Sequence, residues 1–200
     1  IDKTIAAEVL ELMVELSAYV PEFCLTSNPI DIAERLSSDD SYTHGVCMYG
    51  YSNYSKEGFR QKLLTYDDLP SFDGSANGSQ LGGAGIAVSS KSENPRLAAQ
   101  IALLLSSPEI QSTLYVDAGG QPGNLAAWKS AQVNIQTHNF FANTLRTLER
   151  AWVRPRLFGW PEVQYASSQI IHRILSDKKY AAADIDAIDD TFAKFIKESR

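Results

Sequence analysis

Apolar residues recur at helical spacing along most of the chain, and capping or turn-forming residues mark the breaks in that pattern. Residues 4–20 place Ile5, Val9, Leu12, Leu16 and Val20 on one stripe, with Glu8, Glu11 and Glu15 off it, before Pro21. This predicts an amphipathic helix with the stripe inward. Asn28-Pro29 opens a shorter helix, with Asn28 as cap, Pro29 in the first turn and Ile32, Ala33 and Leu36 inward, until Ser37-Ser38-Asp39-Asp40 stops it. Gly45-Val46-Cys47-Met48 reads as a strand, and residues 63–69 as a second extended run ending at Pro70. Residues 71–80, with Asp73-Gly74 and Asn77-Gly78, form a loop of turn formers. Residues 81–89, led by Leu81-Gly82-Gly83, read as a glycine-led strand whose missing Cβ atoms let a ligand or another backbone come close.

Asn94-Pro95 starts a helix carrying Leu97, Ala98, Ile101, Ala102 and Leu105, and Ser107-Pro108-Glu109 repeats the device at once. Two helices therefore run nearly end to end, the second fading at Ala118-Gly119-Gly120. Gly120-Gln121-Pro122-Gly123-Asn124 is a tight loop before a short helix through Trp128. Thr137 is placed to cap a helix through Phe140, Phe141, Leu145 and Leu148. Pro155 and Pro161 make residues 153–158 an extended connector. Pro161 then begins a helix through Val163, Ala166, Ile170, Ile171, Ile174 and Leu175. Residues 182–196 close the chain as an amphipathic helix with Ile185, Ile188, Phe192, Ala193 and Ile196 inward. The expected fold class is α/β and helix-rich, with strands near Val46 and Ile86.

Composition narrows the function. Two hundred residues, 44% hydrophobic and 21% charged, bury a substantial core. A net charge of −6, with basic residues scattered, gives no attraction for phosphate backbones, so nucleic acid is not an expected partner. No apolar run approaches the roughly 20 residues that span a bilayer. The sequence begins at Ile1, which fits an exported protein after processing and equally a trimmed chain. Cys24 and Cys47 are too few for a zinc framework, and either pair in an oxidising compartment or are two small buried hydrophobes. No cofactor and no metal is expected. The glycines at 82, 83 and 85 lack the spacing of a phosphate-binding loop and no helix follows them directly.

The densest chemistry lies in Tyr49-Gly50-Tyr51-Ser52-Asn53-Tyr54. Aromatic faces pack on the C–H face of a pyranose while amides and hydroxyls fix its oxygens, so rings interleaved with amides suit a sugar. The same residues also fit a surface loop whose tyrosines are half buried in the core.

The order of these pieces resembles the C-terminal half of an extracellular solute-binding protein of an ABC importer, in the sugar-binding group that includes the maltose-binding type. The resemblance rests on succession: the aromatic-Ser-Asn segment, the run ending Leu69-Pro70, Leu81-Gly82-Gly83 with Ile86-Ala87-Val88, and the Asn94-Pro95 and Ser107-Pro108-Glu109 helices. Gly120-Gln121-Pro122, the proline-bearing connector and the helix opening near Trp160 and Tyr165 follow. It implies a portion of a two-lobe periplasmic-binding-protein fold, with residues 1–80 in the C-terminal lobe, 81–150 returning to the other lobe, and 151–200 forming the hinge crossing and C-terminal lobe helices. It further implies binding of a sugar or oligosaccharide, delivery to a membrane permease, and a periplasmic or membrane-tethered extracellular location. Tyr49 matches the position whose ring stacks on sugar, with Tyr51, Ser52 and Asn53 beyond it. Gly82 and Gly83 match a segment where backbone approaches ligand, and Trp160 and Tyr165 an aromatic region at the late helix. Trp128 and Trp152 fall to packing. Since the family runs to about twice this length, the resemblance implies a longer parent, with self-association through uncovered surface if truncated.

Other functions fit less well. His44, His138 and His172 are far apart in sequence with no recognisable Ser, Cys or metal partner, so an enzyme is not expected. Asp39-Asp40, Asp67-Asp68 and Asp189-Asp190 are adjacent pairs of the kind found on solvated turns and helix faces. A ferric-ion binder using Tyr49, Tyr51 and Tyr54 is the alternative solute-binding reading, and a helical interaction module the alternative without a small molecule.

Overall fold

The computed structural model describes residues 1–198. The helices are α1 (Lys3–Ser17), α2 (Pro29–Ser38), α3 (Pro95–Leu105), α4 (Pro108–Ser112), α5 (Leu114–Asp117), α6 (Leu125–Trp128), α7 (Ala131–Gln136), α8 (Phe140–Glu149), α9 (Trp160–Asp177) and α10 (Ala182–Glu198). Single 3-10 turns lie at Glu22–Leu25 and Ser52–Ser55. The local chemistry explains several starts. Asp2 accepts from the backbone of Thr4 and Ile5 at 2.9 and 3.1 Å, Ser107 from Ile110 at 3.4 Å, and Asn124 from Ala126 at 3.0 Å. Two expected caps differ. Asn94 makes no side-chain cap, and the Thr137 hydroxyl donates backward to the Val133 carbonyl at 2.8 Å. Helix α8 starts instead from Asn139 in the left-handed conformation.

The expected α/β architecture is overturned: among the described residues the chain is helical with no sheet, and the one β-type pairing is an isolated parallel bridge between Gln80 and Trp152. The two-lobe periplasmic-binding-protein fold goes with it. Each expected strand fails for a local reason. Cys47 has φ +57°, which breaks the extended run at 45–48. At 63–69 the backbone bonds single groups instead of a neighbouring strand: Leu64 donates to the Tyr54 carbonyl at 2.9 Å and Leu69 to the Thr147 hydroxyl at 2.8 Å. In the glycine-led run, Leu81 donates to the Trp152 carbonyl at 2.8 Å, and Ile86 and Val88 beyond it are exposed. A strand without a ladder has nothing to offset its conformational entropy.

The described chain divides into two compact units, Ile1–Asn28 with Pro155–Arg200, and Pro29–Arg154. In the first, Leu10, Ile174 and Ile185 form the core, with Ala6, Ala7, Val14, Ile170, Ile171 and Tyr180 packed against it. Helix α1 therefore turns its alanine-bearing face to α9 and α10, where small side chains permit close approach. Ile5, Val9, Leu12, Leu16 and Val20, the stripe expected inward, are all exposed. Trp160 meets Phe192 and Phe195 edge-on, at centroid distances of 5.8 and 6.3 Å. Gly159 has φ +80°, and a Cβ there would lie 2.6 Å from the Phe195 ring, so glycine is required twice over. In α10, Ile185, Ile188 and Phe195 are buried; Ile196, also expected inward, belongs to the helix, but its side chain lies outside those described.

In the second unit Val116, Trp128, Val133, Phe140 and Phe141 form the core, with Tyr66, Leu145 and Leu148 against it. Edge-to-face contacts chain these rings: Trp128–Phe141 and Phe140–Phe141 at 5.0 Å, Tyr66–Phe140 at 4.8 Å. The Trp128 indole donates to the Pro122 carbonyl at 2.8 Å, which ties the Gly120-Gln121-Pro122 loop to this core. Trp152, expected in packing, is half exposed. Helix α3 buries none of its apolar side chains.

Candidate functional site

The segment from Tyr49 to Tyr54 alternates its exposure. Tyr49 and Tyr51 face solvent while Ser52 and Tyr54 are buried. The anchor is aromatic: a Cβ on Gly50 would come within 3.0 Å of Phe140 and 3.1 Å of Tyr66, so glycine lets the backbone rest on the core rings. A second anchor is Gln121. Its Oε1 accepts from the Ser52 backbone at 2.8 Å and its Nε2 donates to the Gly50 carbonyl at 3.3 Å. This clamp was not singled out in the sequence, where Gln121 is only the middle of a Gly-x-Pro loop.

Tyr49 is 44% exposed yet fixed at both ends. Gln80 Nε2 donates to its hydroxyl at 2.7 Å. Its ring lies over Gly82, where an added Cβ would sit 2.7 Å from the ring edge. An aromatic face held in place and open to solvent is the feature a sugar platform needs. Asn53 is half-buried, its carbonyl oxygen 3.9 Å from the position of a Cβ on Gly119. Tyr51 is exposed. Tyr49, Tyr51, Asn53 and Gly82 thus all lie in the Pro29–Arg154 unit; the structure brings Tyr49 to Gly82 and Gln80, sets the Asn53 side chain toward Gly119, and adds Gln121 as the clamp on the backbone between them. Gly83 is exposed, with no atom within 4 Å of a Cβ placed there. Trp160 and Tyr165 belong to the other unit. Trp160 is engaged with Phe192 and Phe195 as described, and Tyr165 is 69% exposed.

Tyr54 has a different role from its neighbours. Its hydroxyl donates to Glu34 at 2.6 Å, and Glu34 also receives Arg60 through Nε and Nη2 at 2.6 to 2.9 Å. Burial, followed by the Glu34 carboxylate, pushes the Tyr54 phenol up to about 12, while Arg60 and then the Tyr54 hydroxyl hold Glu34 down at about 2. A phenol so held resists becoming the phenolate that iron requires. Among the described residues no group of three or more His, Cys, Asp and Glu is arranged to hold a metal ion, and no helix is long and apolar enough to cross a membrane. Cys24 and Cys47 are both free thiols.

Set beside protein-family models and curated proteins, the sequence matches none.

Proposed function

We propose that this protein binds a sugar or oligosaccharide at the Tyr49 platform, as an exported solute-binding protein that hands its ligand to an ABC importer. The observation that carries the reading is Tyr49 itself: a half-exposed ring backed by a glycine and pinned through its hydroxyl by Gln80. The C–H face of a pyranose stacks on that ring, and Asn53 offers a donor and an acceptor for the sugar's hydroxyls. A fixed ring loses little entropy on binding, which favours the ligand over a mobile tyrosine in a loop. The ordered resemblance of the sequence to sugar-binding importer proteins supplies the transport role. The proposal rests on the site and not on the fold, since function resides in sites that different folds carry.

Titration calorimetry of the full-length gene product against a sugar panel tests it. Tyr49→Ala should weaken binding by about 1–3 kcal/mol, the scale of a lost aromatic contact, with little change in stability. Unchanged affinity in Tyr49→Ala, or no binding of any sugar, refutes the reading. Cell fractionation that finds the native protein in the cytoplasm refutes the transport role.

A further inference from the structure

Residues 71–80 hold two dipeptides in which a side-chain carbonyl precedes glycine, Asp73-Gly74 and Asn77-Gly78, and the fold treats them oppositely. Both glycines take left-handed backbone, φ +69° and +98°, and nothing lies within 4 Å of where a Cβ on either would stand. The Asp73 carboxylate is held. Its Oδ1 accepts from the Ser75 backbone at 2.9 Å and from the Ser71 hydroxyl at 3.2 Å, and these bonds, Ser75 first, keep the carboxyl below its ordinary range. Asn77 is exposed, and among the described residues its carboxamide has no hydrogen-bond partner. The Gly78 N–H likewise has no acceptor among them.

That combination sets up an intramolecular reaction. An asparagine Cγ and the next backbone nitrogen are one bond short of a five-membered ring, so proximity is supplied by the chain itself. What ordinarily keeps them apart is the side chain of the following residue, a hydrogen bond on the carboxamide, or an N–H already engaged. At Asn77-Gly78 none of the three is present. Elsewhere in the chain Asn28 and Asn94 precede proline, which has no N–H to lose, and the other asparagines precede larger side chains.

We propose that Asn77 is a self-modification site, converting spontaneously in the folded protein to aspartate and isoaspartate. The Gly78 nitrogen, on losing its proton, attacks Asn77 Cγ. The new N–C bond forms as the Cγ–Nδ2 bond breaks, and ammonia leaves with the proton that the backbone gave up. Water then opens the resulting succinimide. Addition at Cγ gives aspartate and addition at the main-chain carbonyl gives isoaspartate; in each the imide C–N bond at that carbon breaks, one water proton restores an N–H and the other is released from the new carboxyl. Asp73 stays as it is, because a hydrogen-bonded carboxylate has no leaving group comparable with ammonia. The product adds a negative charge to a chain already at −6. Its isoaspartyl form also lengthens the main chain by one atom in a stretch fixed on both sides: Arg146 Nη2 donates to the Gly74 carbonyl at 2.9 Å, and Trp152 donates to the Ser79 carbonyl at 2.8 Å.

The test follows each asparagine by peptide mapping and mass spectrometry while the full-length protein is held at mildly alkaline pH in water enriched in heavy oxygen. Wild type is compared with Asp73→Asn, which places a second Asn-Gly pair in the same loop but leaves it a carbonyl that accepts from Ser75. Position 77 should take up one heavy oxygen, at least about tenfold faster than position 73 of the variant, whose amide must first break its bonds to Ser75 and Ser71. In concentrated urea the two positions should react at similar rates. Equal rates at 73 and 77 in the folded variant overturn the proposal. Wild type alone gives a second measure that does not depend on the variant folding: Asn77 should react within about threefold of its rate in urea, and suppression by more than about tenfold on folding refutes the site.

Discussion

Gly82→Ala is a one-atom probe of the Tyr49 platform. The added Cβ would lie 2.7 Å from Cε1 and 3.1 Å from Cδ1 of the Tyr49 ring, where ordinary contact starts near 3.4 Å. Gly82 does not sit in the left-handed region, so alanine meets no backbone penalty there. The ring must move instead. Tyr49 is 44% exposed, so it swings toward solvent at small cost to the fold. Replacing glycine also removes conformational freedom from the unfolded chain, by about 0.4–1 kcal/mol, which offsets part of that cost. Stability should therefore change by less than about 1 kcal/mol. Binding should change more, because the displaced ring loses both its backing and the 2.7 Å bond from Gln80. A lost aromatic platform is worth about 1–3 kcal/mol, or roughly five- to 150-fold in affinity. Gly85→Ala is the control, since a Cβ there meets nothing within 4 Å. Calorimetric titration with a sugar that binds wild type, alongside thermal melts by circular dichroism, separates the two effects. Wild-type affinity in Gly82→Ala, or an equal loss in Gly85→Ala, refutes the platform geometry.

Phe141 is fully buried between Trp128 and Phe140, so Phe141→Ala should destabilise by about 3–5 kcal/mol in denaturant titration, and a loss under about 1 kcal/mol would mean that this core is not packed as described. Glu34 has its carboxyl lowered from 4.5 to about 2, chiefly by Arg60, so its contribution is present above pH 4.5 and is lost as pH falls toward 2. Glu34→Gln should flatten stability against pH in that window, and an unchanged acid limb would refute the pairing. Leu10→Ala, at a site 3% exposed, should cost about 2–5 kcal/mol, whereas Leu16→Gln on the exposed stripe should stay within about 0.5 kcal/mol; the reverse order would show that α1 packs by its other face.

Helix positions were legible because they depend on local chemistry. Proline in the first turn with a polar residue before it marks α2, α3 and α4, and α8 buries Phe140 and Phe141 as its periodicity requires. Which face a helix buries is less local. Helix α1 has two apolar sides, one of Ile, Val and Leu and one of Ala6, Ala7, Leu10 and Val14. The bulkier side wins any hydrophobic tally, yet α9 and α10 take the smaller one, because alanines let the backbones approach and Leu10 fills the gap beside Ile174 and Ile185. Strands were the least legible. An apolar run states that a segment can be extended, but a strand is a relation between two segments, and nothing in 45–48 or 81–89 names a partner.

The candidate site divides along the same line. Tyr49, Tyr51 and Asn53 are visible because rings and amides are scarce and here fall within five residues. Gln80 and Gln121 are invisible, since a glutamine in a turn-rich loop has no distinctive neighbours until folding brings it 2.7 Å from a phenol or 2.8 Å from a backbone N–H. His138 is the clearest case. The sequence offers it no partner, and the structure gives it the Ser55 carbonyl on one ring nitrogen and Glu57 near the other, 83 positions away along the chain for the first of these. That arrangement depends on His138 and Asn139 both taking left-handed backbone, φ 47° and 62°, just ahead of α8. Two such residues in succession cost on the order of 1 kcal/mol or more each, and the turn survives because Asn139 and Phe140 donate to the carbonyls of Asn134 and Thr137 at 2.8 and 2.9 Å. The α8 core therefore holds the turn that sets His138 against Ser55, and the same Phe140 ring lies under Gly50 at the start of the Tyr49 segment. One buried residue, Phe140, thus supports both the Tyr49 segment, through its ring, and the His138 turn, through its backbone N–H.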